Sequence, residues 1–138
     1  ELGNQYDEIW MLLPCAPLID SDDLIKASEL FSSIKNCRAM MSVSEYPAPI
    51  EWAFDLTCNK ELQPIDSFSF TTPSQNIKKK YYETGSFCIF TPNFLDKYNG
   101  NDSYKEFHGF VLPRYKAVDI DDQSDWDLAE KLYAANKI

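Results

Sequence analysis

"EIWMLLP", residues 8–14, and "AMMSVSEY", residues 39–46, bracket a helical pattern, and together they set the fold class. The first is a short, continuous apolar run ended by proline, as a buried strand of the parallel type would be. "PCAPLIDSDDL" then makes a tight loop with two prolines, and Asp20 or Ser21 caps a helix running to about Lys35. Leu24, Ala27, Phe31 and Ile34 recur at helical spacing on one face, with Asp22, Asp23 and Glu29 turned outward. Acidic residues in the first turn suit the helix dipole. Strand, helix, strand at this spacing is a βαβ unit, which makes the first two strands parallel and the fold α/β.

"PAPIEWAFDL" breaks that rhythm. Two prolines precede the strand-like "IEWAFDL", and "TCNKE" reads as a hairpin turn before "LQPI". This gives one domain over 1–138 with an antiparallel arm inserted at 46–81. Trp52, Phe54, Ile65, Phe68 and Phe70 give the arm an apolar face that needs a second surface. Ser67 to Lys80 is a polar loop ending in Lys78, Lys79 and Lys80, and "GSFCIF" is another strand. Thr91 and Pro92 open a short helix to Tyr98, and Asn99 to Lys105 is a loop tip. "GFVLP" and "KAVDI" are short strands around Arg114. A final helix starts near Gln123 with Trp126, Ala129, Leu132 and Tyr133 inward. The strands at Ile9–Leu13, Ala39–Ser44 and Ser86–Phe90 belong in one sheet, flanked by the helices near Ser21–Ile34 and Ser124–Ala135.

A chain of 138 residues that is 44% hydrophobic can bury a core. Its net charge of -9 argues against nucleic acid and against anionic membrane surfaces. An anionic ligand would need a metal ion or a local basic cluster. No apolar run is long enough to span a bilayer, and the start shows no signal-peptide pattern. Cys15, Cys37, Cys58 and Cys88 have no zinc-finger or C-x-x-C spacing and read as reduced thiols of a cytoplasmic protein. Cys15 lacks a nearby base, so a buried small residue is the better reading than a nucleophile. The one histidine, His108, falls in a glycine-containing turn. The chain opens at "ELGNQYDEIW" without an initiating Met, which reads as a piece of something longer or an engineered chain.

In "AVDIDDQSDW", residues 117–126, aspartates alternate with core residues. On a strand, Asp119 and Asp121 project to one face while Ile120 enters the core. Two carboxylates at a strand's C-terminal end suit a magnesium ion, whose shell is completed by water and substrate phosphates. An acidic turn without a ligand has the same spacing. Asp122 has a separate task as N-cap of the last helix, with Asp125 three residues on. Arg114 suits a carboxylate or phosphate, or a surface ion pair.

"LLPCAPLIDSDDLIKASELF", "SVSEYPAPIEWAF", "PSQNIKKKYYETGSF" and "VLPRYKAVDIDDQSDWDLAEKLY" stand in an order that resembles the acylneuraminate cytidylyltransferases, nearest the pseudaminic acid subgroup. "PCAP" at Pro14–Pro17 favours that subgroup over the sialic acid enzymes. The resemblance implies a truncated three-layer nucleotide-diphosphosugar transferase fold, Rossmann-like, with a mixed sheet and an antiparallel dimerisation arm. It implies cytidylyl transfer from CTP to the anomeric hydroxyl of a nine-carbon 2-keto sugar acid, with loss of pyrophosphate, in a homodimer. Pseudaminic, legionaminic and sialic acid are the acceptors it offers. Asp119 and Asp121 match the family's metal-binding D-x-D, which implies Mg2+. Gln75 and Ser74 match its sugar-site motif, and Arg114 its P-R-Y arginine. The family's arginine before Ser74 is replaced by Pro73, where Lys78 partly substitutes, and a tyrosine common in the next strand is Cys88. Nothing matches the family's opening glycine- and lysine-containing phosphate loop, so this chain alone is expected to be inactive. Two rivals stand beside this reading: a 3-deoxy-octulosonate cytidylyltransferase, and a non-catalytic domain that binds sugar or a partner chain.

Overall fold

Proline at 14 ends the first apolar run as a strand, β1 (Ile9–Leu12), in a computed structural model that describes residues 6–67, 71–98 and 104–136, Ser74 and Tyr104 by backbone alone. The elements that follow are α1 (Ser21–Ser33), β2 (Ala39–Glu45), β3 (Phe54–Leu56), β4 (Leu62–Pro64), β5 (Tyr81–Phe90), α2 (Pro92–Leu95), β6 (Phe107–Val111) and α3 (Gln123–Ala135). The chain divides into two compact units, Glu1–Ser44 with Glu83–Ile138, and Glu45–Tyr82.

The first unit is built on a four-stranded sheet in the order β1-β5-β2-β6. β1 runs antiparallel to β5, and β2 runs parallel to β6. Thr91 N–H donates to Arg38 O at 2.9 Å, and Ser42 Oγ bonds both the N–H and the carbonyl of Phe87. β2 and β5 are therefore antiparallel, and the sheet is mixed. All three expected strands share one sheet, but β5 lies between β1 and β2. The βαβ pair is co-directional without being adjacent, because the strand pairing is decided by a segment far along the chain.

Side chains alternate across these strands, and each face has its own apolar cluster. On one face Met40, Phe87, Ile89 and Leu112 close against Ala27 and Phe31 of α1, with Trp10, Leu24 and Ile34 at the edge. On the other, Ala39, Cys88 and Phe90 meet Phe94 of α2, with Met41, Tyr98 and Phe107 beside them. A third cluster seats α3 on Leu18 and Val118 through Ala129 and Leu132. Trp126 and Tyr133 do not turn inward as expected; each is about half exposed, at 51% and 53%.

Both long helices open on an aspartate capping box. Asp20 accepts from Asp23 N–H at 3.1 Å, and Asp23 accepts from Asp20 N–H at 3.0 Å. Asp23 was expected to face solvent, yet it is buried, because Lys116 Nζ reaches Asp23 at 2.7 Å and Asp20 at 2.6 Å. Burial alone pushes the Lys116 ammonium down, but the two carboxylate bonds outweigh it and raise it. The Lys116 bond in turn lowers Asp20. The long link ties the start of α1 to the turn that precedes Asp119.

In the second unit, β3 and β4 form a hairpin, Phe54 opposite Pro64 and Leu56 opposite Leu62. The turn passes through Lys60 at φ 67°. "IEWAFDL" is less extended than its sequence suggests: Ile50–Trp52 is a 3-10 turn, which the prolines before it favour. Phe68 and Phe70 lie outside the described residues, as does most of the 99–105 loop tip. His108 belongs to β6 rather than a turn, with Nδ1 3.5 Å from Cys37 Sγ. Among the described residues, no helix is long and apolar enough to cross a membrane.

Candidate active site

Asp119 stands on no strand. "KAVDI" pairs with nothing in the sheet; Arg114–Lys116 is a 3-10 turn, and residues 117–120 run as irregular backbone. The alternation that suggested a strand is produced instead by two anchors. Val118 enters the α3 cluster, and Ile120 N–H donates to Cys15 O at 3.0 Å. Between these anchors the Asp119 side chain is laid over Gly85.

Gly85 is where that placement is decided. Its φ is +63°, a conformation that glycine adopts without strain. A Cβ built there would lie 2.2 Å from Asp119 Oδ2 and 2.7 Å from its Cγ. The carboxylate thus occupies the space a side chain would have filled. Glycine inside a strand marks a bulge or a close approach, and here it serves the close approach of Asp119. The peptide is held from each side. Gly85 N–H donates to Glu83 Oε1 at 2.8 Å, and Thr84 Oγ1 donates to Ser42 Oγ at 2.8 Å in a buried hydroxyl group that includes Ser86.

Asp119 Oδ1 is buried and has no hydrogen-bond partner among the described residues, a costly state for a carboxylate oxygen without a ligand. Cys15 lies alongside, its thiol 3.9 Å from Gly85 O. The Cys15 thiol is pushed up, first by its hydrogen bond to Asp119, then by burial and by the charges of Asp119 and Asp121. It is a protonated donor beside the carboxylate, which removes the nucleophile reading. Glu83, Gly85 and Asp119 form the polar end of a cavity of about 650 Å³, otherwise lined by apolar side chains of the sheet and α2.

The remaining acidic residues of the run do other work. Asp122 accepts from Ser124 N–H at 2.7 Å and Asp125 N–H at 3.1 Å, which with the Ser124 hydroxyl holds its carboxyl below the usual range. Asp125 Oδ2 accepts from the N–H groups of both Asp121 and Asp122. Capping was the expected role of Asp122, and the geometry is that of a capping box.

Gln75 and Lys78 belong to the second unit, where both are exposed and line a cavity of about 240 Å³ with Tyr46 and Pro47–Pro49. The Ser74 backbone lies in the 3-10 turn Ser74–Asn76. Lys79 pairs with Glu45 at 2.8 Å and Lys80 with Glu51. Lys78 makes no ion pair among the described residues, so it is the lysine of the three left for a ligand. Arg114 is exposed at the start of the turn before Asp119, also without an ion pair there.

No protein-family model matches the chain. The chain is similar to curated pseudaminic acid cytidylyltransferases. Two from Campylobacter jejuni, serotypes O:2 and O:23/36, are each 31% identical over 134 residues, which is 95% of this chain and 56% of theirs. The post-translational flagellin modification protein B of Campylobacter coli is 33% identical over 132 residues, 93% of this chain and 53% of its own. The chain therefore spans about half the length of the curated relatives it matches.

Among the described residues, no group of three or more His, Cys, Asp or Glu side chains gathers to hold a metal alone. Asp119 offers one carboxylate, whose buried Oδ1 has no hydrogen-bond partner among the described residues. That fits magnesium, which keeps several waters and takes only one or two carboxylates. Reading the sequence found the aspartates but missed Gly85, Glu83 and the Ser42–Thr84 support. The signal available was one glycine set between polar residues in an otherwise apolar strand.

Proposed function

We propose that this chain carries the D-x-D and acceptor-binding part of a cytoplasmic cytidylyltransferase of the nucleotide-diphosphosugar transferase fold. It transfers CMP from CTP to pseudaminic acid or a close nonulosonic relative. The observation that carries this reading is the buried, unpartnered oxygen of Asp119 over Gly85, in a chain whose relatives are named for that reaction. The sugar's anomeric oxygen attacks the α-phosphorus of CTP, a P–O–C bond forms, and the bond to the departing pyrophosphate breaks. Magnesium, when bound, neutralises charge on the phosphates. Asp119 and Asp121 would hold it, with Gly85 fixing the first carboxylate. By their chemistry, and by the resemblance that singles out Gln75, Ser74 and Arg114, the Arg114 guanidinium in the first unit and Gln75 and Lys78 in the second suit the sugar's carboxylate and hydroxyls. The reading includes self-association through the arm, because Leu56, Leu62 and Ile65 are all exposed on a two-stranded hairpin, which is marginal by itself.

The test is pyrophosphate release with CTP, magnesium and pseudaminic acid, run on this chain and on a chimera that joins it to the segment of a curated relative it does not match. This chain alone is expected to release none, because nothing in its sequence matches a phosphate loop that would align the α-phosphate. The chimera releases pyrophosphate, and Asp119→Asn lowers the rate at least about a hundredfold. A chimera that binds the sugar yet never releases pyrophosphate would make this a binding domain.

A further inference from the structure

We propose that Lys116 is a positioning residue for the metal seat at Asp119: its ammonium clasps the start of α1 and thereby fixes where the Asp119 carboxylate lies over Gly85. The inference rests on the reading of Asp119 as a magnesium ligand and names what holds that ligand in place.

Residues 117–120 are irregular backbone and have no sheet ladder to locate them. Their position is set by attachments at alternate residues. Lys116 Nζ reaches Asp20 at 2.6 Å and Asp23 at 2.7 Å. Val118 is buried in a cluster with Leu18 and Ala129. Ile120 packs at the edge of that cluster, and its N–H donates to Cys15 O at 3.0 Å. Each attachment involves the segment from Cys15 to Asp23, whereas the Asp119 side chain lies over Gly85. Of these attachments, the one at Lys116 is the charged one. It also stands where the chain leaves the 3-10 turn, which Ala117 N–H closes on Arg114 O.

The start of α1 has no need of this ammonium. Its capping box is complete within the helix, with Asp20 and Asp23 each accepting from the other's backbone N–H. A cation at a helix N-terminus opposes the macrodipole. Taking an ammonium out of water costs solvation, and the Lys116 side chain is only 13% exposed. A poor place for the helix is a good one for the loop. Two carboxylates already fixed by backbone bonds make a rigid mooring, and the long lysine stem reaches it from the turn before Asp119. A ligand whose support is lost typically weakens metal binding about tenfold or more.

The test uses this chain with Mn2+ as the probe, its affinity read by electron paramagnetic resonance and the loop read by amide hydrogen exchange. Lys116→Met weakens Mn2+ binding at least about tenfold. It also speeds exchange of the Ile120 N–H at least about tenfold, while the Phe87 N–H, bonded to Ser42 Oγ in the core, keeps its rate. Lys116→Arg, whose fork can span the same two carboxylates, keeps both native values. Lys116→Met leaves Asp23 buried without its cation, so a second variant guards against simple unfolding. Asp20→Asn with Asp23→Asn and Lys116→Met retains a capping side chain and buries no unpaired charge. It too is expected to lose Mn2+ affinity and Ile120 protection with the Phe87 N–H unchanged. Native Mn2+ affinity or native Ile120 exchange in either variant, or equal acceleration at Ile120 and Phe87 in both, would overturn the inference. Asp119→Asn in the otherwise native chain judges the parent reading apart. Mn2+ binding that ignores Asp119→Asn sinks the metal seat itself, whereas binding lost with Asp119→Asn and kept with Lys116→Met sinks the clasp alone.

Discussion

Alternate residues of the same strands meet two different surroundings. Phe87 and Ile89 point to the α1 face, where with Met40 they are wholly buried. Cys88, between them in sequence, fronts a cavity of about 650 Å³ with Met11 and Met41. One face is filled to the density of a core, and the other keeps room. A period of two is enough to put stability and ligand space on opposite sides of one strand.

The sharpest break of this contrast comes from truncating one residue on each side. Phe87→Ala removes a ring packed against Trp10, Phe110 and the α1 face, and costs about 3–5 kcal/mol in urea unfolding. Cys88→Ala enlarges a space that already exists and costs about 1 kcal/mol or less. Similar losses from both would mean that the two faces are packed alike.

Alkaline pH separates the faces next. The Cys88 thiol rises from 9.0 to about 11 on folding, chiefly through burial. The unfolded chain therefore releases its proton first, and stability falls as pH climbs from about 9 to about 11. The full loss is about 2–3 kcal/mol. Cys37, raised by burial in the α1-face cluster, contributes in the same direction. Stability measured against pH in Cys88→Val loses the Cys88 share and keeps the rest. A curve unchanged by that substitution would remove the assigned burial of this thiol.

The smallest effect comes from the edge of the cavity. Gly85→Ala pays for a left-handed backbone and for a Cβ placed on the Asp119 carboxylate, about 1–2 kcal/mol in all. In the double variant with Asp119→Ala the second part is relieved, so the two substitutions cost less together than their separate losses predict. Strict additivity would show that Gly85 is needed for its backbone alone.

Periodic signals were legible in the sequence, and long-range placements were not. Leu24, Ala27, Phe31 and Ile34 marked the buried face of α1 because helical spacing is local. Asp122 and Asp125 marked the start of α3 for the same reason. The insertion of β5 between β1 and β2 could not be read, since nothing within "EIWMLLP" or "AMMSVSEY" encodes which later strand will bond to them. Asp23 misled because its outward position on a helical wheel took no account of Lys116, a partner 93 residues away. "KAVDI" misled more usefully. Its alternation is real, but it reflects anchoring of Val118 to α3 and of Ile120 to Cys15, not pairing in a sheet. The aspartates of the candidate site were visible, while the glycine that seats one of them is 34 positions earlier and carries no side chain to notice.

Asp119, Asp121, Asp122 and Asp125 look like one acidic patch by composition. Hydrogen bonding divides them: Asp122 and Asp125 are occupied with the backbone at the start of α3, and Asp119 is turned to the cavity. The run therefore behaves as a reading frame whose meaning lies in phase more than in charge. Replacing one aspartate erases one function. Deleting Ile120, without removing any carboxylate, would shift the residues on one side of it by one place and leave either the cap of α3 or the seat on Gly85 unfilled. Tolerance to exchange and intolerance to slippage should go together along this stretch, the reverse of what an acidic surface loop would show.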